Sequence, residues 1–345
     1  MSRSSTLKSA ISLSLLLLTP YSSWAFDYLQ PLPESPPVPV DNPITKAKIA
    51  LGKKLFFDTQ LLGLNSSISG NSCHTLSRGG SDNRAISVGQ NGKETYRSAP
   101  GLWNIGLQTV LYWDGRSTSL ELQTLDHLRD PVISSWISIG SIITKLSHSA
   151  EYQRAFKDAF NEEEPVSGIN LARAIASFER SLMTGKSPFD RYISGDKSAL
   201  DSSAIRGIDS FNTVGCLACH FGVNFAGPAP GPALKMGDGF YELFPNNLGS
   251  MYEKQYKLAD DLGRYEFTGL PDERYMWRVA PLRNIELTSP YFHNGSVSRL
   301  EDAIRVMAKT QLGKKLSNST VNDITAFLKS LTTSIPSAYK PNEKD

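Results

Sequence analysis

Cys216-Leu217-Ala218-Cys219-His220 is the stretch whose reading decides the rest of the chain. C-x-x-C-H is the pattern by which a c-type haem is attached: two cysteines form thioethers with the haem vinyl groups, and the adjacent imidazole becomes an iron ligand. The spacing suits that task, because one short turn must bring both sulfurs to the porphyrin edge and the ring nitrogen under the iron. Two other uses of C-x-x-C compete. A thioredoxin-type redox pair wants a βαβ unit around it, which the flanking sequence lacks. A zinc site wants further Cys or His at short spacing, and the only other cysteine is Cys73. The trailing His and the exported context favour haem.

That context comes from the other end of the chain. Arg3 and Lys8 make a basic start, Ile11 to Leu18 an apolar run, and Ser23-Trp24-Ala25 a small-residue cleavage site. Residues 1–25 therefore read as a secretory leader cut near Ala25, with Phe26 the first mature residue and the periplasm the expected location. The apolar run is too short to span a bilayer, and no later stretch is long enough. The 345 residues suffice for two domains of ordinary size. Two of the 36 Lys and Arg belong to the leader, so the mature chain balances its 34 Asp and Glu, and nothing points to nucleic acid. With Cys216 and Cys219 used by the motif, Cys73 has no disulfide partner, and an unpaired exported cysteine calls for a use. His74 follows it directly.

Taken in order, residues 26–40 are proline-rich and read as an extended lead-in. A helix is expected from Asp41 or Asn42, with Pro43 in its first turn, apolar positions Ile44, Ala47, Leu51 and Leu55, and an end near Phe57-Asp58. A polar loop then reaches Ser69-Gly70-Asn71-Ser72-Cys73-His74. It has the length and ending of a second C-x-x-C-H, but Gly70 stands where the first cysteine would be. One reading is a chance Cys-His pair in a loop; the other is a haem site with a single thioether through Cys73 and with His74 still available to iron. Residues 79–112 are rich in Gly, Ser, Asn and Arg and read as loop. Thr118-x-x-Glu121 predicts a capping box opening a helix, and Asn170 is expected to cap another, striped by Leu171, Ala174, Ile175, Phe178 and Leu182. A helix with Ile205, Ile208 and Phe211 leads into the haem motif. Gly and Pro between Gly222 and Gly239 predict a long loop. Ser298-x-x-Glu301 predicts a helix with Leu300, Ala303, Ile304 and Met307 on one face. Val321, Ile324, Leu328 and Leu331 mark the last helix before a polar tail. Strand signals are sparse, so the fold class is mainly α.

Several long blocks occur in an order that resembles the bacterial di-haem cytochrome c peroxidase family, which also contains the di-haem proteins of methylamine utilisation. They are Leu51-Gly52-Lys53-Lys54-Leu55-Phe56-Phe57-Asp58, Tyr112-Trp113-Asp114-Gly115-Arg116, the haem motif and Ala280-Pro281-Leu282-Arg283-Asn284. Pro290-Tyr291-Phe292-His293-Asn294-Gly295 and Gln311-Leu312-Gly313-Lys314-Lys315-Leu316 continue the series, so the resemblance covers nearly the whole mature chain. It implies two cytochrome c-like helical domains with long irregular loops: 26–195 and 196–335, followed by a tail, 336–345, with the last helix packing back on the N-terminal domain. It also implies haem c in each domain. The C-terminal haem would take electrons from a small cytochrome c or cupredoxin and pass them to the N-terminal haem, where hydrogen peroxide is reduced.

By matching positions, Cys216 and Cys219 hold the electron-transfer haem, with His220 and Met307 as iron ligands. A thioether ligand raises the potential, which suits the site that receives electrons. Met276 is the rival sulfur, and either Met could be plain core. Trp113 matches the aromatic residue between the haems, although packing is the commoner use of Trp. His74 matches the second iron ligand, with Cys73 as its single thioether. Three positions depart from the family: Gly70 replaces a haem-linking cysteine, Gln90 falls where many peroxidases have a displaceable distal His, and Ile133 falls where they have a glutamate. Heterolysis of an O–O bond needs a proton moved between the oxygens, a contribution of ~10²–10⁴ in rate. Ile133 has no such group and Gln90 does not titrate. A calcium site between the haems is implied at Ser98 and at the carbonyls near Thr288, with Ser98 a weaker donor than the family's asparagine. A homodimer is implied as well. Three functions follow: a di-haem oxidoreductase acting on peroxide, a mono-haem electron-transfer cytochrome with a non-catalytic N-terminal domain, and a di-haem oxidant of a partner protein.

Overall fold

The computed structural model describes residues 28–62, 66–134, 137–229 and 237–339; the leader, its Ala25 cleavage site, and residues 340–345 of the tail lie outside them. The described chain is mainly helical, as expected. In order come α1 (Lys46–Phe57), α2 (Gly70–Cys73), α3 (Leu120–Arg129), α4 (Pro131–Ser134), α5 (Ile139–Ser147), α6 (Ala150–Ala159), α7 (Gly168–Arg180), α8 (Pro188–Ile193) and α9 (Ser202–Val214). Strand β1 (Tyr241–Leu243), α10 (Met251–Gln255), α11 (Tyr265–Thr268), strand β2 (Met276–Arg278), α12 (Leu300–Leu312) and α13 (Asn318–Lys329) complete the set. The two strands pair antiparallel, Tyr241 opposite Arg278 and Leu243 opposite Met276. No helix of the described residues is long and apolar enough to cross a membrane.

Two helix pairs form the frame. Helix α1 crosses α7 where a Cβ on Gly52 would run into the Ala174 carbonyl; α9 crosses α13 where one on Gly207 would run into that of Asp323. Glycine is what lets the backbones meet there. Apolar side chains gather in three clusters. One, around Phe211, Phe225, Ile304 and Phe327, lies among residues 189–331 with Leu29 added from the lead-in. A second joins Leu51, Leu55, Ile142, Phe156 and Leu171. A third joins Phe56, Leu76, Trp103, Leu120 and Phe178, and receives Ile335 from beyond α13. Helix α13 itself lies against α9 and α12.

Helix starts differ from the sequence expectations, and at Asn42, Glu121 and Asn170 the polar group taken for part of a cap has partners elsewhere. Helix α1 begins at Lys46, capped by Thr45, because Asn42 is buried and bonded to Glu121, the Arg173 carbonyl and Lys48. Ser119, not Thr118, caps α3, and Glu121 instead clamps Arg180 in a two-pronged ion pair at 2.6 and 2.8 Å. Ser167 caps α7, while Asn170 turns to Glu162 and the Pro165 carbonyl. No side chain caps α12, so Ser298 and Glu301 do not form the expected box.

A structural repeat runs through the two halves at a constant separation of 180 residues. Asn104 and Asn284 both adopt left-handed backbone (φ 64° and 60°) before the short turns Ile105–Leu107 and Ile285–Leu287. Tyr112 and Phe292 are again left-handed (φ 65° and 71°), inside the matching bridges Leu111–Ser117 and Tyr291–Val297. Leu120 and Leu300 then open α3 and α12.

One buried ion pair ties the lead-in to this frame. Arg283 donates to both oxygens of Asp190 at 2.9 Å and also reaches the Gln30 and Val223 carbonyls; Asp190 accepts from Leu32 N and Ser187 as well. Burial alone would raise the Asp190 carboxyl, but Arg283 and Ser187 outweigh it and hold it below the ordinary carboxylate range. Its stabilisation is therefore present at neutral pH and lost as pH falls through the carboxylate range, below about 4. Asp190→Ala, which strands the Arg283 charge, is expected to cost about 3–5 kcal/mol in urea unfolding. A loss under about 1 kcal/mol, within the range of an ordinary exposed pair, would contradict the role given to it.

Candidate functional site: two imidazoles anchored on backbone carbonyls

Helix α9 ends at Val214, and Gly215 (φ 108°) turns the chain in the left-handed region into the tight turn Cys216–Ala218. Cys216, Cys219 and His220 leave that turn lining one deep, mostly apolar cavity, and Met307 lines it from α12. His220 Nδ1 lies 2.9 Å from the Phe225 carbonyl. A carbonyl only accepts, so the proton is on Nδ1 and the lone pair on Nε2. Withdrawal from water lowers the proton affinity of the ring more than the Phe225 and Ala280 carbonyls raise it, which keeps the ring neutral. This is the arrangement of a metal-ligating histidine held by a carbonyl behind it.

The competing uses of the motif fare worse. Burial pushes the Cys216 thiol up to about 12 and that of Cys219 to about 11, the reverse of the lowered value a redox-active pair needs. No group of three or more His, Cys, Asp or Glu among the described residues is placed to hold a metal ion by itself. Two free sulfurs at a cavity rim, a neutral imidazole with its lone pair inward and a thioether on the facing helix fit a covalently held haem.

His74 repeats the arrangement in the other half. Cys73 is the last residue of α2, not of a loop as expected, and His74 Nδ1 lies 3.1 Å from both the Gly80 and Pro100 carbonyls, leaving Nε2 free. Burial raises the Cys73 thiol to about 11. At Gly70 a Cβ would sit 2.6 Å from the Phe56 ring, so Phe56 occupies the place a first cysteine would need. Gln90 turns away to bond Ser66, and Ile133 packs against the Leu51–Phe156 cluster.

Trp113 stands between the two halves. It lines the His220 cavity, and its indole donates to the Ser98 carbonyl at 2.8 Å, two residues from the Pro100 carbonyl that holds His74. Its own carbonyl accepts from Arg278 N at 2.9 Å. Ser98 and Thr288 share the cavity wall, with their hydroxyls turned to the Arg84 and Ile285 carbonyls. Met276 is in β2 and is not part of the lining.

Two histidines escaped the sequence reading. His293 is buried, stacked on Trp277 at 4.2 Å, with its Nε2 unpartnered in the cavity wall, and burial lowers it to about 4. His127, in the last turn of α3, stacks on Tyr112. The signal that finds both is the 180-residue repeat, which pairs His293 with Trp113 and His127 with Met307.

A family model described as di-haem cytochrome c peroxidase matches residues 46–198. The chain is 36% identical over 314 residues to a cytochrome c551 peroxidase of Pseudomonas aeruginosa, covering 90% of this chain and 86% of the relative. It is 34% identical over 272 residues to the methylamine utilization protein MauG of Methylorubrum extorquens, covering 78% and 70%. Among solved structures it is similar to a MauG-like protein associated with microbial copper homeostasis, at a TM-score of 0.73 and 28% identity, covering 91% of this chain and 99% of that one. Met307→Ala is expected to lower the potential of the C-terminal haem, since a thioether ligand raises it, and Met276→Ala to leave it unchanged. Spectroelectrochemical titration showing the opposite pattern would reverse the choice between the two sulfurs.

Proposed function

The chain belongs to the di-haem cytochrome c peroxidase family, and we propose that it is an exported, periplasmic c-type haem oxidoreductase with two haem sites joined through Trp113. Haem, when bound, supplies an iron that takes up and passes on single electrons and can meet peroxide. Cys216 and Cys219 would tether the group at the first site, with His220 and Met307 as its iron ligands, and Cys73 and His74 would hold the second. The observation that carries this reading is the shared segment 98–100: its Ser98 carbonyl receives the Trp113 indole and its Pro100 carbonyl receives His74. One short piece of backbone thereby links the aromatic ring in the His220 cavity to the imidazole of His74. A small cytochrome c or cupredoxin is the fitting donor.

Peroxide chemistry needs a proton relay on the reacting side of the second site. Gln90 is engaged with Ser66 and Ile133 is packed in apolar core, so neither moves a proton. That observation favours a second reading, in which electrons are drawn from a partner protein and peroxide reduction by an external donor is slow. The residues on hand for it are the aromatic groups joining the halves: Trp113, and Trp277 with Arg97 4.8 Å above its ring.

Pyridine haemochrome and iron analysis of protein matured with the cytochrome c assembly machinery are expected to give two haems per chain. One haem per chain would replace this reading with that of a mono-haem cytochrome. With two present, peroxide turnover using a reduced small cytochrome is expected to be ~10²-fold or more below that of a relative with an intact relay; equal turnover would discard the second reading.

A further inference from the structure

The repeat makes a statement about the second site that its own half does not make alone. Counting 180 residues from Asn104, Tyr112, Gly115 and Leu120 lands on Asn284, Phe292, Gly295 and Leu300, each in the same backbone setting. The same step carries His127 onto Met307, both seven residues after their helix begins. Among the side chains that α12 presents to the His220 cavity, Met307 is the one that carries a sulfur. We propose that His127 is the counterpart of Met307, the residue that would join His74 in ligating iron at the second site, through Nε2. The proposal rests on the two-haem reading above.

Three further features fit it. Nδ1 of His127 is already engaged: with its proton there, the Gln123 carbonyl at 3.2 Å and Tyr112 Oη at 2.9 Å accept it, and the Gln123 side-chain amide, 2.7 Å away, turns its oxygen to it. Contacts behind a ring that leave Nε2 to face forward are how a ligating imidazole is aimed. Next, Tyr112 stacks on the His127 ring with centroids 5.2 Å apart and planes 5° from parallel, while Arg116 lies 3.5 Å over the Tyr112 centroid. A thioether needs no such steering, and the residue matching Tyr112 in the other half is Phe292, without a hydroxyl. Finally, the neighbourhood agrees: Trp113, next to Tyr112, shares segment 98–100 with His74, and α4, just past His127, touches the turn that bears Gln90. His127 thus takes from α3 the place that Gln90 has vacated in the loop.

The test uses the two-haem protein in its ferric state. Electron paramagnetic resonance and near-infrared magnetic circular dichroism are expected to show one His/Met and one bis-imidazole low-spin centre. His127→Ala should turn the second centre high-spin, leave the His/Met signal and the haem count unchanged, and raise cyanide affinity at that iron ~10-fold or more, because the competing internal ligand is gone. His127→Met should restore a low-spin centre of His/Met type. Two haems with no bis-imidazole signal, or one that survives in His127→Ala, would overturn this assignment alone. A wild-type count of one haem per chain would overturn the two-haem reading and the assignment with it.

Discussion

An imidazole held by a carbonyl through one nitrogen has its other nitrogen fixed in direction and free of a proton. That constraint organises this molecule. His220 is set by Phe225 and His74 by Gly80 and Pro100, and much of the irregular backbone between the helices serves to put those carbonyls in place. Left-handed turns at Asn104 and Asn284 recur in both halves. A non-glycine residue in that region carries strain of order 1 kcal/mol or more, kept only where surrounding contacts over-determine it. Asn104 is over-determined in this way: its side chain makes three hydrogen bonds with Thr184, its N–H reaches the Leu182 carbonyl, and it is fully buried.

The two halves share this scheme but differ in what surrounds it. From His74 to Asn104 the chain runs directly, whereas from His220 to Asn284 it detours through β1, α10, α11 and β2. The detour supplies Glu242, Phe244 and Trp277 to the wall of the His220 cavity. It also supplies Asp261, which meets Arg97 of the other half at 2.7 and 2.8 Å. Arg97 pairs with Asp114 too, and Arg278 reaches back to the Tyr112 and Trp113 carbonyls. Charged groups thus lock the seam in which Trp113 lies, and a largely inaccessible guanidinium with two carboxylate partners resists the sliding that would change its surroundings.

The haem motif, the α9 stripe, the last helix and the mainly helical class were all legible from spacing, because each is a local pattern. Helix starts at Asn42, Asn170 and Ser298 were not. An asparagine just ahead of an apolar stripe looks like a cap in one dimension, but Asn42 is taken by the distant Glu121 and Arg173 carbonyl, and Asn170 by Glu162 and Pro165 in the turn before its helix. Cys73 and His74 were legible as a damaged copy of the motif; the carbonyls behind His74 come from residues six and twenty-six further on and carry no side-chain signature at all. His127 was legible in principle, through the repeat, yet pairwise identity along it is low. What it preserves is backbone conformation, at positions where asparagine in one half meets asparagine in the other but tyrosine meets phenylalanine.

The departures at Gly70, Gln90 and Ile133 look independent in the sequence and become one event in the structure. Each withdraws a reactive or polar side chain from the second site, and in each case ordinary protein contact takes its place: the Phe56 ring at Gly70, Ser66 beside Gln90, apolar core around Ile133. Each void or unpaired amide would cost on the order of 1 kcal/mol or more, so the contacts that fill these places also stabilise the fold. Here the surroundings are packed while His74 keeps both of its carbonyls and Trp113 keeps its bond to the same backbone. The three substitutions therefore share one character: each takes a reactive or titratable group from the surroundings of His74, while the imidazole keeps the carbonyls that orient it.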